Sequence, residues 1–329
     1  MSDRLKDAKR NPKPAQPASQ GKKAGAPAGG LRLGLCCQFS AQPIRFRTTT
    51  ATALGRLPRR EQLRRLASLG AVNAESLLAA LRFCAAHRIG SFRICSPILP
   101  VKTHPTVGYR VEELPGADDL VAQFRRCGEF ARAQGLRTGF HPDQFVVLNS
   151  PDAGIVARSV ADLESQAEIA EWTNADTVNI HGGGGYGDKP AALERFRCNL
   201  DLLSPRARSR LTVENDDRTF TPADLLPLCR SEGVPLVYDA HHQRCCPDDL
   251  TVEQATEAAR TTWKKREPLF HISSPLEGWQ GPKPERHHDY IDPKDLPRAW
   301  LGWPLTVEVE AKAKELAVAR LQSWLAGEA

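Results

Sequence analysis

The sequence predicts an α/β fold, a TIM (β/α)8 barrel, preceded by a disordered N-terminal tail. Three observations carry that reading. Short apolar, β-prone runs alternate with stretches of helical period, and the runs number eight. Six of them end on a residue that can ligate a metal, and in such barrels site residues stand at the C-terminal ends of the strands. A parallel sheet with helical crossovers explains the alternation, and eight strands favour closure over an open sheet.

Residues 1–30 contain almost no large apolar side chain and are rich in Pro, Ala, Gly and Lys, so they cannot repay the entropy of ordering and are expected to be disordered. They hold seven Lys/Arg against two Asp, which is most of the formal charge of +6 carried by the 329 residues. Residues 31–329, the expected barrel domain, are therefore nearly neutral, and overall basicity says little about a polyanionic partner. The tail lacks the apolar segment of a secretory signal, and no run of about 18 consecutive apolar residues is present, so no membrane partner is inferred and a cytoplasmic location is expected. Nine scattered cysteines without CxxC pairs suit buried thiols in a reducing compartment.

In chain order, strands are predicted over 31–37, 91–95, 137–141, 177–181, 210–215, 235–239, 268–273 and 305–311. Helices are predicted over 75–87, 118–134, 153–172, 190–203, 221–231, 252–263 and 312–325. Asp118 and the Thr221-Pro222-Ala223-Asp224 sequence read as start signals, while Gly70, Gly135 and Gly233 read as stops. Residues 274–297, rich in Pro, Gly and charge, are expected to form a long loop over the barrel mouth.

The strand ends supply His141, His181, Glu214, Asp239, His271 and Glu310. His242 lies three residues after Asp239, where a turn lets both face inward, and His288 on the long loop is a further candidate. Imidazole and carboxylate together suit Zn, Mn, Fe or Co better than Mg. Eight ligands exceed what one ion takes, so two or three ions sharing carboxylates are expected, the arrangement used to cleave phosphodiesters. No side-chain nucleophile is then required.

Two further patterns need weighing. The glycine run from Gly182 to Gly187 formally matches the dinucleotide fingerprint, but the acidic residue expected about twenty positions on is missing, so no nucleotide cofactor is inferred. Arg45, Arg47 and the segment 56–65 place seven arginines and one glutamate within 21 residues, a candidate arm for a phosphate backbone with Phe46 free to stack.

With these residues in hand the chain resembles the UV damage endonuclease family, metal-dependent TIM barrels related in architecture to endonuclease IV. The likeness spans residues 31–325 and rests on Phe92-Arg93-Ile94, His141-Pro142-Asp143-Gln144-Phe145, Asn149-Ser150-Pro151, His181-Gly182-Gly183, Glu214-Asn215-Asp216, Asp239-Ala240-His241-His242, Phe270-His271-Ile272-Ser273 and Val309-Glu310-Ala311-Lys312. It implies a DNA repair endonuclease that cuts damaged double-stranded DNA immediately 5′ of pyrimidine dimers and photoproducts, with manganese as the usual metal and no obligate protein partner. It implies that His141, His181, Glu214, Asp239, His242, His271, His288 and Glu310 ligate two or three ions, with Glu214 and Glu310 bridging and His141 and His181 beside them in catalysis. Gln144 and Phe145 match the pair that similar enzymes push into the duplex, with Arg45 and Arg47 as further DNA contacts. Such enzymes tend to carry Tyr where this chain has Phe145 and an aromatic near Leu35. Some carry a modified lysine at the position of Leu269. Two alternatives share the barrel and a metal site: an apurinic-site endonuclease or other phosphodiesterase, and a sugar-phosphate isomerase or epimerase.

Overall fold

A computed structural model of the chain describes residues 30–327, so the tail expected to be disordered lies outside the described residues. The eight strands are β1 (Leu31–Cys36), β2 (Ser91–Ile94), β3 (Arg137–Phe140), β4 (Thr177–His181), β5 (Leu211–Glu214), β6 (Leu236–Asp239), β7 (Leu269–Ile272) and β8 (Leu305–Val309). Each pairs in parallel with the next, and β8 closes on β1. The fold is a TIM barrel, as the alternation predicts.

The helices are α1 (Ala51–Gly55), α2 (Arg59–Ala86), α3 (Ala117–Ala133), α4 (Ala153–Thr173), α5 (Lys189–Asn199), α6 (Pro205–Arg208), α7 (Pro222–Glu232), α8 (Ala240–Cys245), α9 (Val252–Thr262) and α10 (Glu315–Leu325). The Thr221 start signal is realised as a reciprocal cap: its hydroxyl accepts from Asp224 N–H, and the Asp224 carboxylate accepts from Thr221 N–H. Gly233 ends α7 in the left-handed conformation at φ 66°.

One boundary expectation is overturned. The helix predicted over 75–87 begins at Arg59, and Gly70 lies inside it rather than ending it. The reason is packing: a Cβ at Gly70 would meet side-chain carbons of Leu120 on α3 and Leu99 at 3.1 Å, so the glycine lets two helices approach. Gln62, Leu66, Gly70, Asn73, Ala74, Leu77 and Leu81 form its buried stripe. In length and composition α2 would span a membrane, but here that stripe packs on the barrel and on α3.

The strands are two-faced. Val178, Ile180, Val213, Phe270, Ile272, Val307 and Val309 are buried in the apolar core with residues of the surrounding helices. Their alternates Asn179, Thr212, Glu214, His271 and Glu308 are buried and polar, and hydrogen bonds join them within the bore. The sheet therefore faces apolar helices outside and a charged interior at its C-terminal half. Between β7 and β8 no α-helix forms; only short 3-10 turns at Pro293–Asp295 and Arg298–Trp300 interrupt the long loop.

Candidate active site at the barrel mouth

Glu214, at the end of β5, is completely buried and is the point on which the others converge. Its Oε2 lies 2.9 Å from Nε2 of His141 and 3.8 Å from Nε2 of His181. Its Oε1 lies 3.0 Å from Nδ1 of His271 and 3.3 Å from Nδ1 of His242. Asn179 Nδ2 donates to Oε2 at 2.5 Å, and Thr212 Oγ1 donates to Asn179 Oδ1 at 2.9 Å, which fixes the carboxylate from below.

Two donor sets form around it. His141, Glu214, His271 and Glu310 make one, and Glu214, Asp239 and His242 the other; in each, the ligand atoms lie within 4.8 Å of one another. His181 stands between them, its ring centroid 5.1 Å from that of His141 and 5.7 Å from that of His242. Asp239 caps α8: its Oδ1 accepts from the backbone N–H groups of His241 and His242, which swings His242 inward. Its other oxygen, Oδ2, is buried with no hydrogen-bond partner among the described residues. An orphaned carboxylate oxygen facing a second carboxylate and an imidazole is what a cation site requires, so the residues fit divalent metal.

The electrostatics agree with the geometry. Burial would raise the Glu214 pKa, but the imidazoles of His271, His181 and His141 outweigh it and hold the carboxyl well below its ordinary range. Burial opposes charge on His242, yet Asp239 and Glu214 raise it well above the usual imidazole value. His181 goes the other way, because burial dominates the pull of Glu214.

His288 is the predicted ligand that stands apart. Its Nδ1 accepts from Tyr290 N–H at 3.0 Å, and its ring lines a separate cavity with Trp279, Tyr290 and Arg320. His287 faces the cluster instead, with Nδ1 3.8 Å from Glu310 Oε2 and 3.2 Å from Ser273 Oγ. A lone antiparallel bridge pairs His287 with Pro275. On such a segment successive side chains alternate faces, so one of two adjacent histidines is directed inward and the other outward.

Sequence reasoning also passes over Arg93 and Glu308. Arg93, on β2, is buried between Glu308 and Glu310, 2.5 Å from each. Glu308 lies two residues before Glu310 and Asn179 two before His181, so a polar residue with strand period beneath a strand-end ligand was the available signal.

Gln144 and Phe145 lie on the loop after β3, whose tip is held by Asp143, its Oδ1 accepting from Phe145 N–H at 3.0 Å. Phe145 is 76% exposed. Both line an open cavity of about 750 Å³ that also reaches His181, Tyr186, Asp216 and Arg218. The arm predicted after the first strand divides. Arg45 is spent on the backbone carbonyls of Phe39, Gln42 and Ile44, whereas the exposed Arg47 side chain makes no hydrogen bond among the described residues. Phe46, read as free to stack, packs on Phe92 at 6.3 Å between ring centroids. The glycine run serves loop packing: at Gly183, φ 87°, a Cβ would lie 2.2 Å from Asn149 Oδ1, and Asn149 Nδ2 donates to Gly184 O.

Fold and site thus define a class: a (β/α)8-barrel enzyme whose strand ends gather imidazoles and carboxylates about one buried glutamate. The family model for the UV-endonuclease UvdE matches residues 31–328. A UV DNA damage endonuclease of Bacillus velezensis is 34% identical over 307 residues, covering 89% of this chain and 92% of the relative. The crystal structure of SacUVDE superposes with a TM-score of 0.80 at 25% identity, covering 90% of this chain and 98% of that one. Endonuclease IV from Thermus thermophilus, 17% identical with a TM-score of 0.54, covers 90% of this chain and 99% of its own and shares the fold. The chain belongs to the UV-endonuclease UvdE family.

Proposed function

We propose that this chain is a metal-dependent DNA repair endonuclease that cuts the backbone of duplex DNA immediately 5′ of UV lesions. The observation that carries the reading is the pair of donor sets sharing Glu214, beside the cavity edged by Phe145. Membership of a UV-endonuclease family supports a nuclease, and the ligand chemistry supports two or three divalent ions held by His141, His181, Glu214, Asp239, His242, His271, His287 and Glu310, with manganese the choice that the family likeness favours. Bound there, such ions supply an activated water and neutralise charge developing on phosphate.

The chain's own residues do the rest. Glu214 belongs to both donor sets and would be shared between ions, Glu310 belongs to the first and also faces His287, and Asn179 and Thr212 keep the Glu214 carboxylate from rotating. Phe145, exposed at the tip of its loop, enters the base stack with Gln144 beside it, and unstacking a base step costs a few kcal/mol that a kinked, closely held backbone returns. Arg158 and Arg218 on the cavity wall suit flanking phosphates, with Arg47 a further contact on the loop after β1.

The test is incision of a duplex carrying one cyclobutane dimer, with manganese, comparing the full chain with Glu214→Gln. A single cut 5′ to the dimer, lost in the variant, is expected. Cleavage of an abasic duplex with the dimer duplex left intact would overturn the lesion assignment while keeping the nuclease.

A further inference from the structure

The loop 182–188, which leads from β4 into α5, consists of five glycines, an aspartate and one large side chain, Tyr186. Asp188 closes it as the cap of α5, its Oδ1 accepting from Ala191 N–H at 3.0 Å. The backbone passes through positive φ at Gly183 (87°), Tyr186 (49°) and Gly187 (82°). Glycine adopts such angles freely, whereas a bulky side chain is strained there. A tyrosine held in that conformation among glycines points to a use for its ring.

The ring is supported from behind. Arg195 lies over it, with the guanidinium carbon 5.6 Å from the ring centroid, and Arg195 is itself fixed because its Nε donates to Asn149 O at 2.9 Å. A Cβ at Gly184 would stand 3.0 Å from Tyr186 Cζ, so the ring also rests against bare backbone. Tyr186 nevertheless remains 49% exposed, and it lines the same cavity of about 750 Å³ as Gln144, Phe145 and His181. A space of that size has room for a nucleobase with its sugar. An aromatic ring immobilised before its partner arrives loses little freedom on binding it.

We propose that Tyr186 is a specificity-determining residue: it is the platform on which a base displaced from the duplex stacks, beside the metal centre. This rests on the endonuclease reading above and adds to it the residue that receives what leaves the helix, while Phe145 fills the gap left behind. Damaged bases are displaced at less cost than intact pairs, so a platform that captures only displaced bases favours damaged DNA. Every base presents a π-face, so one ring serves lesions of different shape.

The test is incision of a duplex carrying one cyclobutane dimer, with manganese and the full chain in excess over DNA. It yields a maximal rate and the protein concentration that gives half of it. Tyr186→Gly suits the backbone at φ 49° and should keep the fold, as Tm checks. Its half-rate concentration should rise about 5- to 150-fold, the loss of one stacked base, with the maximal rate little changed. Tyr186→Leu, bulky but without a π-face, should behave like Tyr186→Gly, and Tyr186→Phe like wild type. Competition by undamaged duplex should be the same for all four proteins.

A glycine or leucine variant that matches wild type overturns the proposal, as does a phenylalanine variant as impaired as glycine. Equal losses on damaged and undamaged duplex overturn it too, because they would mark a general support for the DNA surface. A wild-type protein that leaves the dimer duplex uncut sinks the lesion reading and this proposal with it, whereas wild type and variants cutting alike sinks this proposal alone.

Discussion

The carboxylate of Glu214 stands 3.0 Å from Nδ1 of His271, joining β5 to β7 across the bore. Because the same carboxylate also lies 3.3 Å from Nδ1 of His242, this one side chain belongs to both donor sets and has no neutral substitute. Glu214→Gln keeps the volume but removes the charge that a shared ligand needs. We expect it to fold, to lose bound manganese by elemental analysis, and to lower the incision rate by about 10²- to 10³-fold, the scale for removing one group that stabilises transition-state charge. A variant that retains its metal and its rate would remove Glu214 from the centre.

His287 and His288 offer a sharper comparison, since they are neighbours of identical chemistry. His287→Ala should weaken manganese binding by about tenfold or more, because its ring faces Glu310. His288→Ala should leave affinity unchanged, its ring being turned toward Trp279 and Arg320. Calorimetric titration of both variants decides between them, and equal effects would contradict the facing described here.

Stability should depend on pH in opposite senses at the two ends of the scale. Burial disfavours charge on His271, but Glu214 and Glu308 overcome it and raise the pKa from 6.5 to about 10. This contribution is fully present below the unfolded value and is lost as pH rises through about 10. Burial would raise Glu308, whereas Arg93 and His271 lower it from 4.5 to about 2, so its contribution is present above the unfolded value and lost as pH falls through about 2. With chelator present, the Tm should therefore decline from about pH 7 to pH 10. Manganese should flatten that decline, because binding takes the imidazole in its neutral form. A metal-free Tm that is level across this range would count against the charged cluster.

On the nucleic-acid side, Arg45 and Arg47 should behave differently despite lying two residues apart. Arg45→Ala removes a cation that ties three carbonyls of its own loop and should destabilise the fold by about 1–3 kcal/mol in thermal or urea unfolding. Arg47→Ala should leave stability intact and lower the salt dependence of DNA binding by about one ion. The reverse pattern would mean that Arg45, not Arg47, meets phosphate.

Phe145→Ala should spare the folded state, since the ring is exposed and its loop tip is held by Asp143 through the backbone. Binding to dimer-containing duplex should weaken by about 1–3 kcal/mol, the range for one lost base–aromatic contact, as read by fluorescence anisotropy. Unchanged affinity would show that the ring does not enter the stack.

How far the sequence reached can be judged from a few residues. It determined the barrel, because the alternation of apolar runs with helical period is written locally and eight such units have few ways to bury both faces. It also determined that Glu214, His141 and His271 would meet, because the strands of a closed parallel barrel deliver their C-terminal ends to one mouth. What only the tertiary structure decided depends on contacts between segments far apart in the chain. Gly70 reads as a helix stop until Leu120 and Leu99 are seen packed on it. His288 is as good a ligand as His287 until the bridge to Pro275 sets which of them faces Glu310. Glu308 reads as a strand residue like its neighbours until the closure of β8 on β1 brings it over Gly34 and against Arg93. Strand period and residue chemistry are local properties; facing, close approach and the pairing of buried charges are set by chain segments that meet only when the barrel closes.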